Sequence, residues 1–226
     1  MRRFLSIAAL VVTTLGLIML VRLAHRASQT SPAVADSGDT PARIDRIVAT
    51  SERTVPKPPP TLGRIGGSLP TTLVDPRLLA EKSRRTLTVF SDGKPVKTYR
   101  IALGDDPVRP KEREGDGRTP EGMYYVCAKN PDSRFHRSLG LSYPSAIDAE
   151  RGSRDGLIGA RDRRAIVDAI RHFRQPPWNT KLGGEIMIHG GGTARDWTEG
   201  CLAVSNADID EFYALIPLGT EVEIRP

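Results

Sequence analysis

From residue 84 to residue 226 the chain consists of short runs in which apolar and polar positions alternate, separated by turn residues. A period of two marks strands with one buried face. Residues 86–90 (TLTVF) and 95–103 (PVKTYRIAL) alternate on either side of Ser91-Asp92-Gly93-Lys94. An Asp-Gly turn between such runs predicts a β-hairpin. Residues 123–128 (MYYVCA) predict a further strand, 185–189 (EIMIH) a buried one, and 221–224 (EVEI) a strand that closes the chain. The period becomes helical in two places. Within 160–174 (ARDRRAIVDAIRHFR), Ile166, Ile170 and Phe173 share a face, and Pro176-Pro177 ends the run. Ser205, with Asp208 three residues on, resembles an N-cap opening a helix to about residue 216, with Ile209, Phe212, Tyr213 and Ile216 as its apolar face. Two stretches carry no clear period. Residues 104–122, rich in charge, Pro and Gly, predict a loop, and 130–148 (NPDSRFHRSLGLSYPSAID) predict a segment that lines or covers something. The expected body is mostly β with a few helices (α+β), over residues 84–226.

Two segments ahead of that body differ in kind. Residues 4–21 (FLSIAALVVTTLGLIMLV) carry no charge, and as a helix they would extend about 27 Å, close to a bilayer's hydrocarbon core. Residues 1–26 are therefore expected to be an N-terminal transmembrane anchor. A cleaved signal peptide is the alternative, since Ala33-Val34-Ala35 has the small-x-small form. Residues 27–83 are expected to be a Pro/Ser-rich linker, with Pro58-Pro59-Pro60 inside it and no periodic apolar positions. Either reading of the first segment places the rest of the chain outside the cytoplasm. The formal charge is +6, its basic residues are scattered, and aromatics are only 5% of the chain, so no basic stripe interleaved with aromatics forms. Attraction to an anionic polymer or a membrane surface fits that pattern better than nucleic acid, which is not an expected partner.

The stretch richest in candidate chemistry is 185–206, EIMIHGGGTARDWTEGCLAVSN. His189 ends an apolar run, three glycines let the backbone turn, and Cys201 follows twelve residues later behind Gly200. An imidazole beside a thiol can take its proton, stabilise the thiolate and later protonate a leaving amine. On that reading Cys201 attacks a carbonyl, and amide groups at the Gly200-Cys201 turn hold the oxyanion. The Gly190 carbonyl would accept from His189 and fix its tautomer. On pattern alone the balance lies with a buried cysteine and a structural histidine. A Cys127–Cys201 disulfide is a further alternative in an exported protein, and it would silence the nucleophile. Cys127 by itself reads as a small buried residue, and His172 as exposed on its helix. His136 either touches substrate or braces its loop. Ligand spacing for a metal is lacking, Gly190-Gly191-Gly192 reads as a turn rather than a phosphate cradle, and no cofactor is expected.

The segment IMIHG followed by T-x-G-C at 198–201 resembles the active-site signature of the L,D-transpeptidase (YkuD-type) catalytic domain. Gly115-Asp116-Gly117-Arg118-Thr119-Pro120-Glu121-Gly122 resembles the T-P-x-G element that precedes a strand in that family. The finer likeness is to the YafK-like branch, through NPDSRFHRSLGLSYP and the short spacing from IMIHG to GC. The resemblance implies a β-rich, sandwich-like catalytic domain in the periplasm, tethered to the inner membrane. It implies action on peptidoglycan stem peptides through a Cys acyl-enzyme. Carried over by position, Cys201 is the nucleophile, His189 the base and acid, Gly190 the carbonyl that orients the imidazole, and Thr198 and Gly200 the turn presenting the thiol. Many members have His before Gly-Cys and a basic residue or Asn soon after the cysteine, where this chain has Glu199 and Leu202-Ala203-Val204. A substrate-carboxylate contact is thereby lost. Hydrolysis of the same thioester by an amidase or endopeptidase, acting on a peptidoglycan-attached protein as partner, becomes an alternative to transpeptidation. An inactive peptidoglycan-binding module is a third reading. Residues 149–184 are an insertion that either caps the site or decorates the domain.

Overall fold

The computed structural model describes residues 67–226. The anchor expected over 1–26 and most of the expected linker lie outside the described residues. Among the described residues no helix is long and apolar enough to cross a membrane.

The sheet is built from β1 (Arg77–Glu81), β2 (Thr86–Ser91), β3 (Lys94–Arg100), β4 (Gly122–Ser133), β5 (His136–Leu141), β6 (Met187–His189), β7 (Leu202–Ala203) and β8 (Glu221–Arg225). Hydrogen bonding orders these strands β3-β2-β1-β8-β4-β5-β6-β7. The expected hairpin is β2–β3, and its turn residues Asp92 and Gly93 both have positive φ, 50° and 71°, as a two-residue type I′ turn requires. The sheet begins earlier than residue 84. Strand β1 falls in the stretch expected to be linker, because its sequence RLLAE scarcely alternates. Its place comes from antiparallel pairing with β2 and parallel pairing with β8 at the far end of the chain, and neither pairing leaves a local signature.

Strand β4 serves both halves of the sheet. Its first residues pair with β8, and from Val126 onward it pairs with β5, with a register shift between Val126 and Ala128. The two ends of the sheet meet, since Ala102, just past β3, exchanges hydrogen bonds of 2.9 Å with Ala203 in β7. The sheet thus curls around one core that includes Leu87, Val89, Ile101, Leu139, Ile188 and Phe212, all at 1% exposure or less. Removing each such side chain from water contributes about 1.5–3 kcal/mol.

Among the described residues three helices complete the fold: α1 (Ala146–Arg154), α2 (Ala160–Arg171) and α3 (Asn206–Leu215). Helix α3 is capped by Ser205, whose side chain accepts from Asp208 N, and it buries Ile209 and Phe212 in the core. Helix α1 corrects the reading of 130–148. That segment is the end of β4, the whole of β5 and the start of a helix opened by a Ser145/Asp148 capping box. The helix is hard to see in sequence because its buried positions are Asp148, Ala149 and Gly152, none of them a large apolar residue. Tyr125 points away from its neighbours Tyr124 and Val126 into a second cluster with Ile158, Ile166, Ile170 and Leu182. The insertion over 149–184 packs there, and it also braces the 104–122 loop, with Glu114 N donating to Lys181 O and Arg151 to the carbonyls of Lys111 and Glu112.

That loop is held from two sides. Lys82, 1% exposed, donates to the carbonyls of Arg109 and Thr119 and to Glu121 at 2.7 Å. Asp116 accepts from the amides of Glu112, Arg113 and Arg118 and from Lys111 Nζ. Burial would raise its pKa, but those donors win and hold the carboxyl below its usual range.

Candidate active site

Two adjacent parallel strands bring His189 and Cys201 to one region. Strand β6 ends at His189, and β7 begins one residue after Cys201, with Ile188 opposite Leu202 and His189 opposite Ala203. The thiol sits by the start of β6: Cys201 Sγ accepts from Met187 N and donates to Glu185 O, each at 3.4 Å. Glu185 has φ 54°, a left-handed conformation that costs a non-glycine residue about 1–2 kcal/mol. That backbone turn is what aims its carbonyl at the sulfur.

His189 is 2% exposed, and its Nδ1 lies 2.6 Å from Gly190 O. A carbonyl only accepts, so Nδ1 carries the proton and Nε2 keeps its lone pair. Among the described residues Nε2 has no hydrogen-bond partner. The ring is clamped by aromatics. Phe135 stacks on it at 4.6 Å and 22°, and Trp197 meets it edge-on at 5.5 Å while Trp197 Nε1 donates to Gly192 O. Gly190 has to be glycine here, because a methyl group would lie 2.5 Å from Asn206 Oδ1 and 2.7 Å from Phe135 O.

The turn before the thiol is built around Thr198, which is 3% exposed. Its hydroxyl donates to Cys201 O at 2.8 Å and accepts from Gly200 N at 3.2 Å. Gly200 has φ 126°, and a methyl group on it would lie 2.5 Å from Arg118 O. Gly104 is equally confined, with Gly117 O only 2.1 Å from where its Cβ would be. Three distant segments (Gly104, Gly117-Arg118 and Gly200) therefore meet backbone to backbone, which ties the GDGRTPEG element to the cysteine turn.

Burial sets the protonation states. It pushes the Cys201 thiol up to about 11, although the Met187 amide and the Lys111 charge pull the other way; Glu199 and Glu185 add to the rise. Burial also lowers the His189 pKa, which the Gly190 contact opposes and the Arg134 charge reinforces. The site at rest therefore holds a neutral thiol facing Glu185 O and a neutral imidazole with Nε2 unprotonated, rather than a thiolate–imidazolium pair.

The six residues singled out from the sequence separate as follows. His189, Gly190, Thr198, Gly200 and Cys201 form one neighbourhood. His136 is turned to α3, where its Nε2 lies 2.9 Å from Asp210 Oδ1. The Gly200 N–H expected to serve an oxyanion is donated to Thr198 instead. Both cysteines are free, so no Cys127–Cys201 disulfide forms, and Cys127 packs half-buried in the second cluster with its thiol pushed up to about 12 by burial. Sequence reasoning missed Phe135, Trp197, Glu185 and Lys111. Phe135 and Trp197 were detectable only as rare aromatics near the glycines. Lys111 lay in an unstructured-looking loop, and the structure buries it beside Asp116 at 2.9 Å. Among the described residues no group of three or more His, Cys, Asp or Glu is placed to hold a metal.

Comparison with known proteins matches residues 75–224 to the L,D-transpeptidase catalytic domain (YkuD). The provisionally assigned L,D-transpeptidase YafK of Escherichia coli (strain K12) is 26% identical over 141 residues, which are 60% of this chain and 44% of that protein. The chain thus matches less than half the length of this relative. Among solved structures, the helical cell shape determining protein Pgp2 of Campylobacter jejuni superposes with a TM-score of 0.47 at 23% identity, covering 71% of this chain and 52% of that one. Bd1075 of Bdellovibrio bacteriovorus gives 0.45 at 20%, covering 70% and 53%.

Proposed function

The chain belongs to the L,D-transpeptidase (YkuD) catalytic-domain family, and from that premise we propose that it is a cysteine acyltransferase acting on peptidoglycan stem peptides in the cell envelope. The observation that carries this reading is the His189 imidazole held by Gly190 O with Nε2 free, on the strand next to the one Cys201 leads into. In the proposed reaction the thiol turns from Glu185 O toward His189 Nε2, which takes its proton. The sulfur bonds to the substrate carbonyl carbon, and we assign the Cys201 N–H as the oxyanion donor, because Gly200 N is engaged. The C–N bond breaks, the imidazolium returns the proton to the leaving amine, and a thioester remains on Cys201. An acceptor amine then attacks the thioester carbonyl and gives its proton to His189; the C–S bond breaks, the imidazolium protonates the departing sulfur, and a new amide is released with the thiol restored. The two neutral resting groups suit this sequence, since base catalysis needs an unprotonated Nε2 before the thiolate exists.

Hydrolysis is the second reading, with water in place of the amine. It is favoured by the burial of Leu202, Ala203 and Val204, all 0% exposed, which leaves no side chain after the thiol to position an acceptor. We further assign residues 1–26 as the membrane anchor, with the catalytic domain in the periplasm.

Intact-mass analysis after incubation with a carbapenem tests the nucleophile: one adduct is expected, mapping to Cys201 and absent in Cys201→Ala. Incubation with muropeptides and an amine acceptor then separates the two outcomes, dimers marking transfer and trimmed monomers hydrolysis. Failure of both the adduct and any muropeptide product would leave the acyl-transfer reading without support.

A further inference from the structure

The described cations near the site are almost all committed. Lys111, 4% exposed, is bound to Asp116 and Arg113 O. Arg118 is bound to Asp106 and Glu112, and Arg85 to Asp196. At the tip of the β4–β5 hairpin, His136 and Arg137 both turn to Asp210, at 2.9 and 3.1 Å. Arg134, two and three residues away, is exposed and, like Arg195 two residues before Trp197, has no carboxylate or carbonyl partner among the described residues; of the two, Arg134 lies over an aromatic ring of the site. Its guanidinium lies over the Phe135 ring at 4.7 Å, and that ring is itself stacked on the His189 imidazole at 4.6 Å. A guanidinium held over an aromatic face still has N–H groups available and loses less freedom when it donates to a planar anion. The thiol side of the site offers nothing comparable, because the three residues after Cys201 are apolar and buried.

We propose that Arg134, carried by Phe135 next to His189, binds a free carboxylate of the peptide ligand and so sets which carbonyl reaches the thiol. The proposal rests on the acyl-transfer reading for the word ligand. Its chemistry is that of a planar, bidentate guanidinium–carboxylate pair. Arg134 takes the place of the basic residue missing after Cys201, but it approaches from the imidazole side. This placement makes the ligand an acidic peptide rather than a neutral one.

The test uses the full chain and two synthetic stem-type tetrapeptides, identical except that one carries free carboxylates and the other carboxamides. Binding is read on Cys201→Ala protein from intrinsic tryptophan fluorescence, to which Trp197 beside the imidazole contributes, and turnover on protein with the thiol intact. The carboxylate peptide should bind at least tenfold more weakly to Arg134→Ala, a usual loss for one charge-assisted pair. The carboxamide peptide should bind the two proteins equally. Arg134→Lys should recover part of the affinity, and kcat should change little beside KM. The acid limb of the turnover profile should move to higher pH in Arg134→Ala, because removing the cation eases protonation of His189. Arg77→Ala, which removes a similar cation 5.8 Å from the Phe90 ring, should change none of this. Equal affinity of both proteins for the carboxylate peptide would overturn the proposal, and so would an equal loss for both peptides, which marks a structural role. Carboxylate-selective loss without turnover in the unmodified protein would keep the anion site and remove the acyl-transfer reading. Turnover with unaltered binding in Arg134→Ala would do the reverse.

Discussion

Thr198→Val isolates the turn that presents the thiol. The change is nearly isosteric and keeps the methyl packing, but it deletes a hydroxyl that is 3% exposed and serves two backbone groups at once. Cys201 O loses its donor at 2.8 Å, and Gly200 N loses its acceptor at 3.2 Å. A buried polar group left without a partner costs about 1–3 kcal/mol, so two such groups should cost about 2–6 kcal/mol. For a domain of this size that corresponds to a melting temperature about 4–24 °C lower. The main-chain bonds of Thr198 to Leu103 O and from Asp105 N do not depend on the side chain, so the turn should loosen without the sheet coming apart. Thermal melts by circular dichroism give the first readout, with Thr198→Ser as the variant that keeps the hydroxyl and most of the stability. The rate at which iodoacetamide modifies Cys201 at fixed pH gives the second, and it should rise as the sulfur leaves its place between Met187 N and Glu185 O. A Thr198→Val protein that melts within a degree of the parent, with an unchanged alkylation rate, would show that the hydroxyl does not organise this turn.

Three further outcomes follow from the same geometry. A thiol raised from 9.0 to about 11 is favoured in its protonated form, so at pH 8 the thiolate falls from about one in ten to about one in a thousand. Peptide-mapped alkylation of Cys201 in the ligand-free protein should therefore run about 100-fold slower than in an unfolded control at pH 8 and still be climbing at pH 10; a plateau below pH 8 would reveal a preformed thiolate. Gly190→Ala drives a methyl group into Asn206 Oδ1 and Phe135 O, a strain of about 1–3 kcal/mol that also turns the carbonyl from His189. Carbapenem acylation of Cys201 should fall at least tenfold in that variant, and an unchanged rate would argue against Gly190 O as the group that sets the tautomer. Lys82→Met strips three acceptors of a buried cation and should cost about 3–5 kcal/mol, seen as a lower denaturant midpoint; a midpoint equal to the parent's would mean that Lys82 does not pin the 104–122 loop.

The strands with clean alternation, the Asp92-Gly93 turn and the Ser205 cap were all legible because each is determined within a few residues. Strand β1 was not, since RLLAE becomes a strand by lying between β2 and β8. Helix α1 escaped for a related reason: its packing face is small, with Gly152 so close to Leu182 that a methyl would lie 2.7 Å from it. At the site, the His, the Gly after it and the Gly-Cys turn were readable from type and order. His136 was not readable, because nothing local tells that Asp210, on another element, captures it.

By itself the sequence determined the β-rich class, the two main helices α2 and α3, and the identity of the nucleophile and base candidates. Those follow from periodicity, turn chemistry and the few residue types able to carry such a reaction. The tertiary structure alone decided what surrounds the pair. It closed the sheet through Ala102 and Ala203, packed Phe135 and Trp197 on the imidazole, set the thiol between Met187 N and Glu185 O, and laid Arg134 over Phe135 without a carboxylate partner among the described residues. The physical reason is that desolvation and charge act through space. A thiol raised by burial and an imidazole kept neutral depend on atoms brought from strands, loops and a hairpin tip far apart in the chain.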